Sequence, residues 1–134
     1  MKRMIFLFVL ILSFLACSNN DDENNENQSI IGTWQLVEEF YGNVSGQGQW
    51  TEVENGYTYT FTKQNSVISN RYPCKEGTYS LNNGNNITLK FDCPETGVII
   101  LGYDISFENN YLILTPNPLP CDEGCKFKYK KIKE

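Results

Sequence analysis

Residues 57–62 read YTYTFT, and this hexapeptide decides the fold class. Its aromatic residues Tyr57, Tyr59 and Phe61 alternate with threonines. Because successive side chains of a β-strand point to opposite faces, the alternation predicts a strand with an aromatic inner face and a threonine outer face. The core of this protein is therefore expected to come from strands.

A hairpin follows in the stretch EGTYSLNNGNNITLKF, where NNGN predicts a turn. A loop over residues 83–85 would place Leu81 opposite Ile87 and Tyr79 opposite Leu89. A loop shorter by one residue would set apolar against polar residues. We expect the first register because it collects the apolar side chains on one face.

Five further segments read as strands: GTWQLVEEF, NSVISN, GVIILGYDISF, YLILT and CKFKYKKI. The connections are short and no segment has a helical period, so the eight predicted strands favour an all-β fold, a small up-and-down antiparallel barrel. The last strand supports closure, because Lys126, Lys128 and Lys130 would face outward while Phe127 and Tyr129 face inward.

The order of these segments resembles a known family. IIGTWQLVE, YTYTFT, CKEGTYSLNNGNNITL and a closing GCKFKYKKI are similar to the lipocalin-like domains of Bacteroidota lipoproteins over residues 30–134. Gly32 and Trp34 match the lipocalin Gly-x-Trp motif. The resemblance implies a calycin-type barrel that Trp34 closes as a core residue, with Lys130 or Lys131 in place of the arginine that stacks on this tryptophan in lipocalins.

Four cysteines are expected at one rim of the barrel. Successive loops of an up-and-down barrel alternate ends, and an even number of predicted strands separates Cys74, Cys93, Cys121 and Cys125. Outside the cytoplasm we read them as two disulfides that staple this rim. Pairing 74–93 with 121–125 is favoured, because the first pair flanks one hairpin and CDEGC allows a tight turn. Cross-rim pairings and a four-cysteine zinc site are the alternatives.

Residues 1–16 have the parts of an export signal: basic Lys2 and Arg3, an apolar stretch of about a dozen residues, and small Ala16. The apolar stretch is shorter than the roughly 20 residues of a membrane-spanning helix. The stretch FLAC resembles the bacterial lipobox, in which cleavage before a cysteine is followed by its acylation. Cys17 is therefore the predicted lipidation site and the link to the membrane. An ordinary secretory signal is the alternative.

Residues 17–29 would connect the acylated cysteine to the barrel. After Cys17, the stretch SNNDDENNENQS contains no aliphatic or aromatic residue, which predicts a disordered tether. The cluster Asp21-Asp22-Glu23 resembles the acidic export signal of surface lipoproteins in the Bacteroidota. This implies a lipid anchor in the outer membrane with the domain on the cell surface; a periplasm-facing lipoprotein is the alternative.

Composition argues against several functions. Without residues 1–16, nine basic and 16 acidic residues remain, a net charge of −7 that argues against nucleic acid. The chain has no histidine, so the commonest general base and metal ligand is missing. No motif supports lysine- or carboxylate-based catalysis. We therefore predict no enzyme activity, no catalytic residue, no cofactor and no metal site.

Two function classes fit these observations. The resemblance implies a barrel that binds a small apolar or amphipathic molecule. A long first connection over about residues 41–56 is expected at the cysteine-rich rim and contains Trp50. From this connection we predict a narrow cavity or cleft at that rim, gated by Trp50 and floored by Tyr59 and Phe91. The alternative for these aromatic residues is an ordinary packed core. The second class is an interaction module, an inhibitor, adhesin or accessory subunit that binds protein or glycan through its rim loops. The candidate lining residues are Trp50, Tyr57, Tyr59, Phe61, Tyr79, Leu89, Phe91 and Tyr103.

Overall fold

The alternating pattern of the sequence produces strands in the described part of the chain. The computed structural model describes residues 29–42, 47–82, 85–119 and 124–134. Within these ranges, no helix is long and apolar enough to cross a membrane. The strands are β1 (Gly32–Gly42), β2 (Gly48–Glu52), β3 (Thr58–Phe61), β4 (Ser66–Ser69), β5 (Glu76–Asn82), β6 (Asn86–Cys93), β7 (Gly97–Glu108), β8 (Tyr111–Pro116) and β9 (Cys125–Lys133).

Eight of these strands close into an antiparallel barrel. Neighbouring strands follow the order β1-β3-β4-β5-β6-β7-β8-β9, and β9 pairs again with β1. Closure leaves no free edge along this ring of strands. The predicted eight-stranded up-and-down barrel is thus confirmed.

Strand β2 is an additional strand that the sequence pattern did not predict. Its residues, GQWTE, are all exposed and show no apolar alternation, so the prediction assigned them to a long connection. They pair with the second half of β1, where Trp50 lies opposite Phe40 and their ring centres are 5.5 Å apart. The prediction of a loop was wrong because a cross-strand aromatic pair, rather than one buried face, supports this strand.

Strands β2 and β3 lie one after the other along the same edge of β1. Strand β3 pairs with residues 32–35 and β2 with residues 38–42. Gly56 lies in the segment between β2 and β3, where an added β-carbon would be 2.1 Å from the carbonyl oxygen of Leu36. A larger residue at this position would require the backbone to move.

The hairpin of β5 and β6 has the predicted register. Leu81 lies opposite Ile87, and Tyr79 lies opposite Leu89. Ile87 and Leu89 are almost fully buried, because their face of the hairpin points into the barrel. A slip of one residue would turn this face toward solvent, which is why the apolar pattern specified the pairing.

The barrel interior is filled by large side chains. Tyr59, Phe91 and Tyr129 are fully buried in an apolar cluster to which each of the eight barrel strands contributes. Trp34 is buried near the end at which β1 begins. Its indole Nε1 donates a hydrogen bond to the carbonyl oxygen of Ile30 at 2.7 Å.

The two ends of the barrel differ. The end at which the chain enters, at Ser29, is called the tether end here. The opposite end, which carries Cys74, Cys93 and Cys125, is called the cysteine rim. Cys74 and Cys93 form the predicted disulfide, with their Cα atoms 5.0 Å apart. Cys125 is disulfide-bonded; its predicted partner Cys121 lies outside the described residues, so the 121–125 pairing stays a prediction.

Candidate functional site

An open cavity of about 580 Å³ lies at the tether end of the barrel. Its apolar wall includes Tyr79, Ile105 and Phe107, whose side chains belong to the core or pack against it. A mainly apolar wall with a few polar groups is typical of pockets that bind small molecules. The described lining residues are Ser29, Ile30, Ile31, Tyr79, Leu81, Asn85, Ile105, Ser106 and Phe107.

The cavity arises because the inner face of β5 continues beyond the packed core. Tyr79 and Leu81 lie two residues apart and so point to the same side of the strand. Tyr79 is 6% exposed, whereas Leu81 is 58% exposed. Removing apolar surface from water is favourable by about 25 cal/mol per Å². An apolar ligand that covered Leu81 would therefore gain free energy at this position.

Most of the predicted lining residues belong to the packed interior. Tyr59, Phe61, Leu89 and Phe91 are each at most 1% exposed and belong to the apolar cluster of the core. Of the predicted lining residues, Tyr79 contributes to the wall of the cavity at the tether end.

A cluster of five tyrosines, called the tyrosine cluster here, lies toward the cysteine rim. The hydroxyl oxygens of Tyr57 and Tyr129 are 2.7 Å apart, and those of Tyr59 and Tyr72 are 3.5 Å apart. Tyr103, from β7, is buried, and its proximity helps to raise the pKa of Tyr59 and of Tyr129. The barrel therefore carries a row of phenol hydroxyl groups close to its cysteine rim.

Four phenols of the cluster, those of Tyr57, Tyr59, Tyr103 and Tyr129, remain uncharged at neutral pH. Burial raises the pKa of Tyr57 to about 12. Burial also raises the pKa of Tyr59, Tyr103 and Tyr129 above the ordinary tyrosine value. Each hydroxyl can donate as well as accept a hydrogen bond in this state.

Arg71 lies against the tyrosine cluster and is open to solvent. The central carbon of its guanidinium is 4.6 Å from the ring centre of Tyr57 and 5.5 Å from that of Tyr72. Its Nη1 donates a hydrogen bond to the hydroxyl oxygen of Tyr57 at 2.8 Å. The sequence prediction did not assign Arg71 a role. The available signal was that the chain has no other arginine after residue 16, and that this one precedes a tyrosine between two strands.

Trp50 lies on the outer face of the sheet. The Nζ of Lys128 is 4.1 Å from its ring centre and also forms an ion pair with Glu38. Because Lys128 alternates with the fully buried Tyr129, this group of side chains points away from the barrel interior. Trp50 therefore does not cover the cysteine rim, where the prediction placed it as a gate.

Two other predicted sites have different outcomes. Since Cys74 and Cys93 are joined to each other, the alternatives of a four-cysteine zinc site and of cross-rim pairings are not realised. The predicted signal at 1–16, the lipidation site Cys17 and most of the tether lie outside the described residues, and they stay predictions.

A family model for a lipocalin-like domain matches residues 30–114. The match begins at Ile30, whose carbonyl oxygen accepts the hydrogen bond from Trp34, and ends at Leu114, a buried residue of β8. It includes most of the cavity wall and, except for Tyr129, the tyrosine cluster. A search of curated proteins and a search of solved structures each found no significant match.

Proposed function

We propose that this chain, which belongs to the lipocalin-like domain family, binds a small apolar or amphipathic molecule in its barrel. Members of this family are typically non-enzymatic binding proteins. The proposed site is the cavity at the tether end, and no chemical step is assigned to it.

The size of the cavity and the chemistry of its wall support this proposal. Its volume of about 580 Å³ is above the roughly 300 Å³ at the lower end for small-molecule pockets. Leu81, Ile105 and Phe107 offer apolar surface, while Ser29 and Asn85 supply polar groups that could orient a head group. The combination suits a ligand with an apolar body and a small polar end.

We also propose that the protein is held at the outer membrane through acylated Cys17, with the domain on the cell surface. Twelve residues, 18–29, would then separate the anchor from Ile30. A fully extended chain of this length spans about 40 Å. The cavity would therefore stay within reach of the membrane surface, where apolar molecules accumulate.

Tryptophan fluorescence tests the binding proposal. The ring of Trp34 is 6.0 Å from that of Phe107, which lines the cavity, so a bound ligand should change its emission. The chain has two tryptophans, and Trp50→Phe leaves Trp34 as the only one. Residues 17–134 with Cys17→Ser would be titrated with fatty acids from octanoate to palmitate. We expect a saturable change with and without Trp50→Phe.

A matched pair of variants locates the ligand. Leu81→Glu introduces a charge into the cavity wall and should abolish the response. Val98→Glu introduces the same charge at a similarly exposed position on β7, outside the cavity, and should leave the response unchanged. A lack of response to every fatty acid, or an equal response in Leu81→Glu, would overturn the proposal.

A second candidate function, an interaction module for protein or glycan, is favoured by the outer face around Trp50. Trp50 is 36% exposed, packs against Phe40 with its ring tilted by 55°, and contacts Lys128. Exposed aromatic side chains of this kind are enriched at binding hot spots. A glycan array probed with the wild type and with Trp50→Ala would test this candidate, and binding that depends on Trp50 would support it.

A further inference from the structure

We propose that Arg71, together with the hydroxyl groups of Tyr57 and Tyr72, forms a binding site for a small carboxylate at the cysteine rim. This site lies at the opposite end of the barrel from the cavity at the tether end. The two sites share no described lining residue, so the inference does not depend on the proposed function.

The backbone holds Arg71 in place. The amide of Arg71 donates a hydrogen bond to the side-chain oxygen of Ser69 at 3.1 Å. The side chain of Asn70 accepts one from the amide of Thr58 at 2.8 Å. Arg71 and Cys74 both lie in the connection between β4 and β5, residues 70–75, and the disulfide of Cys74 with Cys93 links this connection to β6. A guanidinium on a fixed backbone loses less conformational entropy when it binds a ligand.

Among the residues that the structure describes, the guanidinium has aromatic neighbours and no acidic ion-pair partner. It lies over the rings of Tyr57 and Tyr72, and its Nη1 donates a hydrogen bond to the neutral Tyr57 hydroxyl. The ion pairs formed within residues 29–42, 47–82, 85–119 and 124–134 are Lys128 with Glu38 and Lys131 with Glu134. Within that part of the chain, no carboxylate neutralises Arg71.

An unneutralised guanidinium beside aromatic rings attracts oxyanions. Its planar fork of N–H groups matches the two oxygens of a carboxylate, and such charge-assisted bonds are about twice as strong as neutral ones. The phenol hydroxyls of Tyr57 and Tyr72 can donate further hydrogen bonds to the same anion. The ring faces beside them suit the apolar part of a small organic acid.

The NMR signal of the Arg71 side chain provides the most direct test of this proposal. Residues 17–134 with Cys17→Ser contain no other arginine, so an NMR spectrum has a single arginine Nε–Hε signal to follow. Succinate should move this signal in a saturable manner, whereas sodium chloride at equal ionic strength should not. An equal effect of chloride would overturn the proposal. A response to inorganic phosphate but not to succinate would overturn the carboxylate assignment.

Variants add a second readout, the rise in melting temperature caused by succinate. Arg71→Gln should lose this rise, and Arg71→Lys, which keeps the charge without the planar fork, should weaken succinate binding about tenfold. Lys75→Gln removes an equal charge from an exposed residue of the same connection and should behave as the wild type. Equal losses in Lys75→Gln and Arg71→Gln would show a general charge effect and overturn the proposal.

The acidic residues Asp122 and Glu123, which lie outside the described residues, provide the last control. In the double variant Asp122→Asn, Glu123→Gln, succinate should bind with unchanged affinity. Binding that appears only in this double variant would mean that the chain's own carboxylates occupy Arg71, and the proposed site would not exist. The cavity variant Leu81→Glu should leave the arginine signal and its titration unaffected.

Discussion

Lys131 lies directly opposite Trp34 on the neighbouring strand, and its Nζ is 5.5 Å from the centre of the indole ring. The first strand of the barrel and the last are thus joined by a cation over an aromatic ring as well as by backbone pairing. Gly32 makes room for this arrangement, because a β-carbon there would lie 2.7 Å from both the Cε of Lys131 and the carbonyl oxygen of Lys133.

Replacing Lys131 tests this contact. Lys131→Met should lower the free energy of unfolding by about 0.5–1 kcal/mol, the usual size of a solvent-accessible cation–π interaction. Lys131→Arg should keep the stability of the wild type. Lys130→Met serves as the control, since Lys130 is exposed and faces away from Trp34. Urea denaturation measures all three variants, and a Lys131→Arg variant as unstable as Lys131→Met would contradict the role of the cation.

The disulfide of the cysteine rim should contribute more to the free energy of unfolding than the contact between Lys131 and Trp34. Cys74 and Cys93 are 19 residues apart, and cross-linking a loop of this length contributes about 3 kcal/mol in the chain-entropy account. The double variant Cys74→Ser, Cys93→Ser should therefore melt several degrees below the wild type. Thiol titration of residues 29–134 without reductant should find no free thiol. A melting temperature unaffected by the double substitution would contradict this estimate.

The tyrosine cluster predicts a loss of stability in alkali. The pKa of Tyr57 rises from the ordinary 10 to about 12 on folding, so the folded state holds its proton more tightly than the unfolded state. The contribution of Tyr57 to stability should be constant below pH 10 and should be lost between about pH 10 and pH 12, by at most roughly 3 kcal/mol. Tyr57→Phe should make the fall shallower. Circular dichroism and phenolate absorbance, followed together, should change in parallel. Full ionisation of the tyrosines without unfolding would contradict their burial.

The membrane anchor can be tested without a structure. Radiolabelled palmitate should enter the full-length protein in a bacterial host that acylates lipoproteins, and Cys17→Ala should abolish the label. Cys74→Ala leaves Cys17 in place and should still be labelled. Label in the Cys17→Ala variant, or none in the wild type, would mean that the chain is not acylated at Cys17 as proposed.

The barrel could be predicted because one physical rule dominates its strands. In β5 and β6, the apolar residues recur at every second position, and burial of that face permits one register only. The same rule missed β2, whose residues are exposed on both faces. The contacts that support β2 join Trp50 to Phe40 and Lys128, and this grouping depends on the register of three strands rather than on any local pattern.

The location of the cavity was harder to predict for a similar reason. The sequence analysis placed the binding cleft at the cysteine rim because the long connection that contains Trp50 was expected there. The cavity lies instead where Leu81 and Ile31 continue past the last packed layer of the interior. Periodicity identifies which side chains face inward, but the position at which inward-facing side chains stop touching one another depends on their summed volumes across the barrel.

The closure of the barrel by its first and last strands also determines when the domain can fold. Leu36 meets Tyr129, and β9, which carries Tyr129, is the last of the barrel strands to be synthesised. Until then β1 has no partner on one edge, and the growing chain is an open sheet whose unpaired strand could associate with other chains. Pairing over so long a stretch of sequence is also slow. If the chain is exported as proposed, the domain should therefore be exported unfolded and bound to a chaperone. The barrel should close only after β9 has been released from the export machinery.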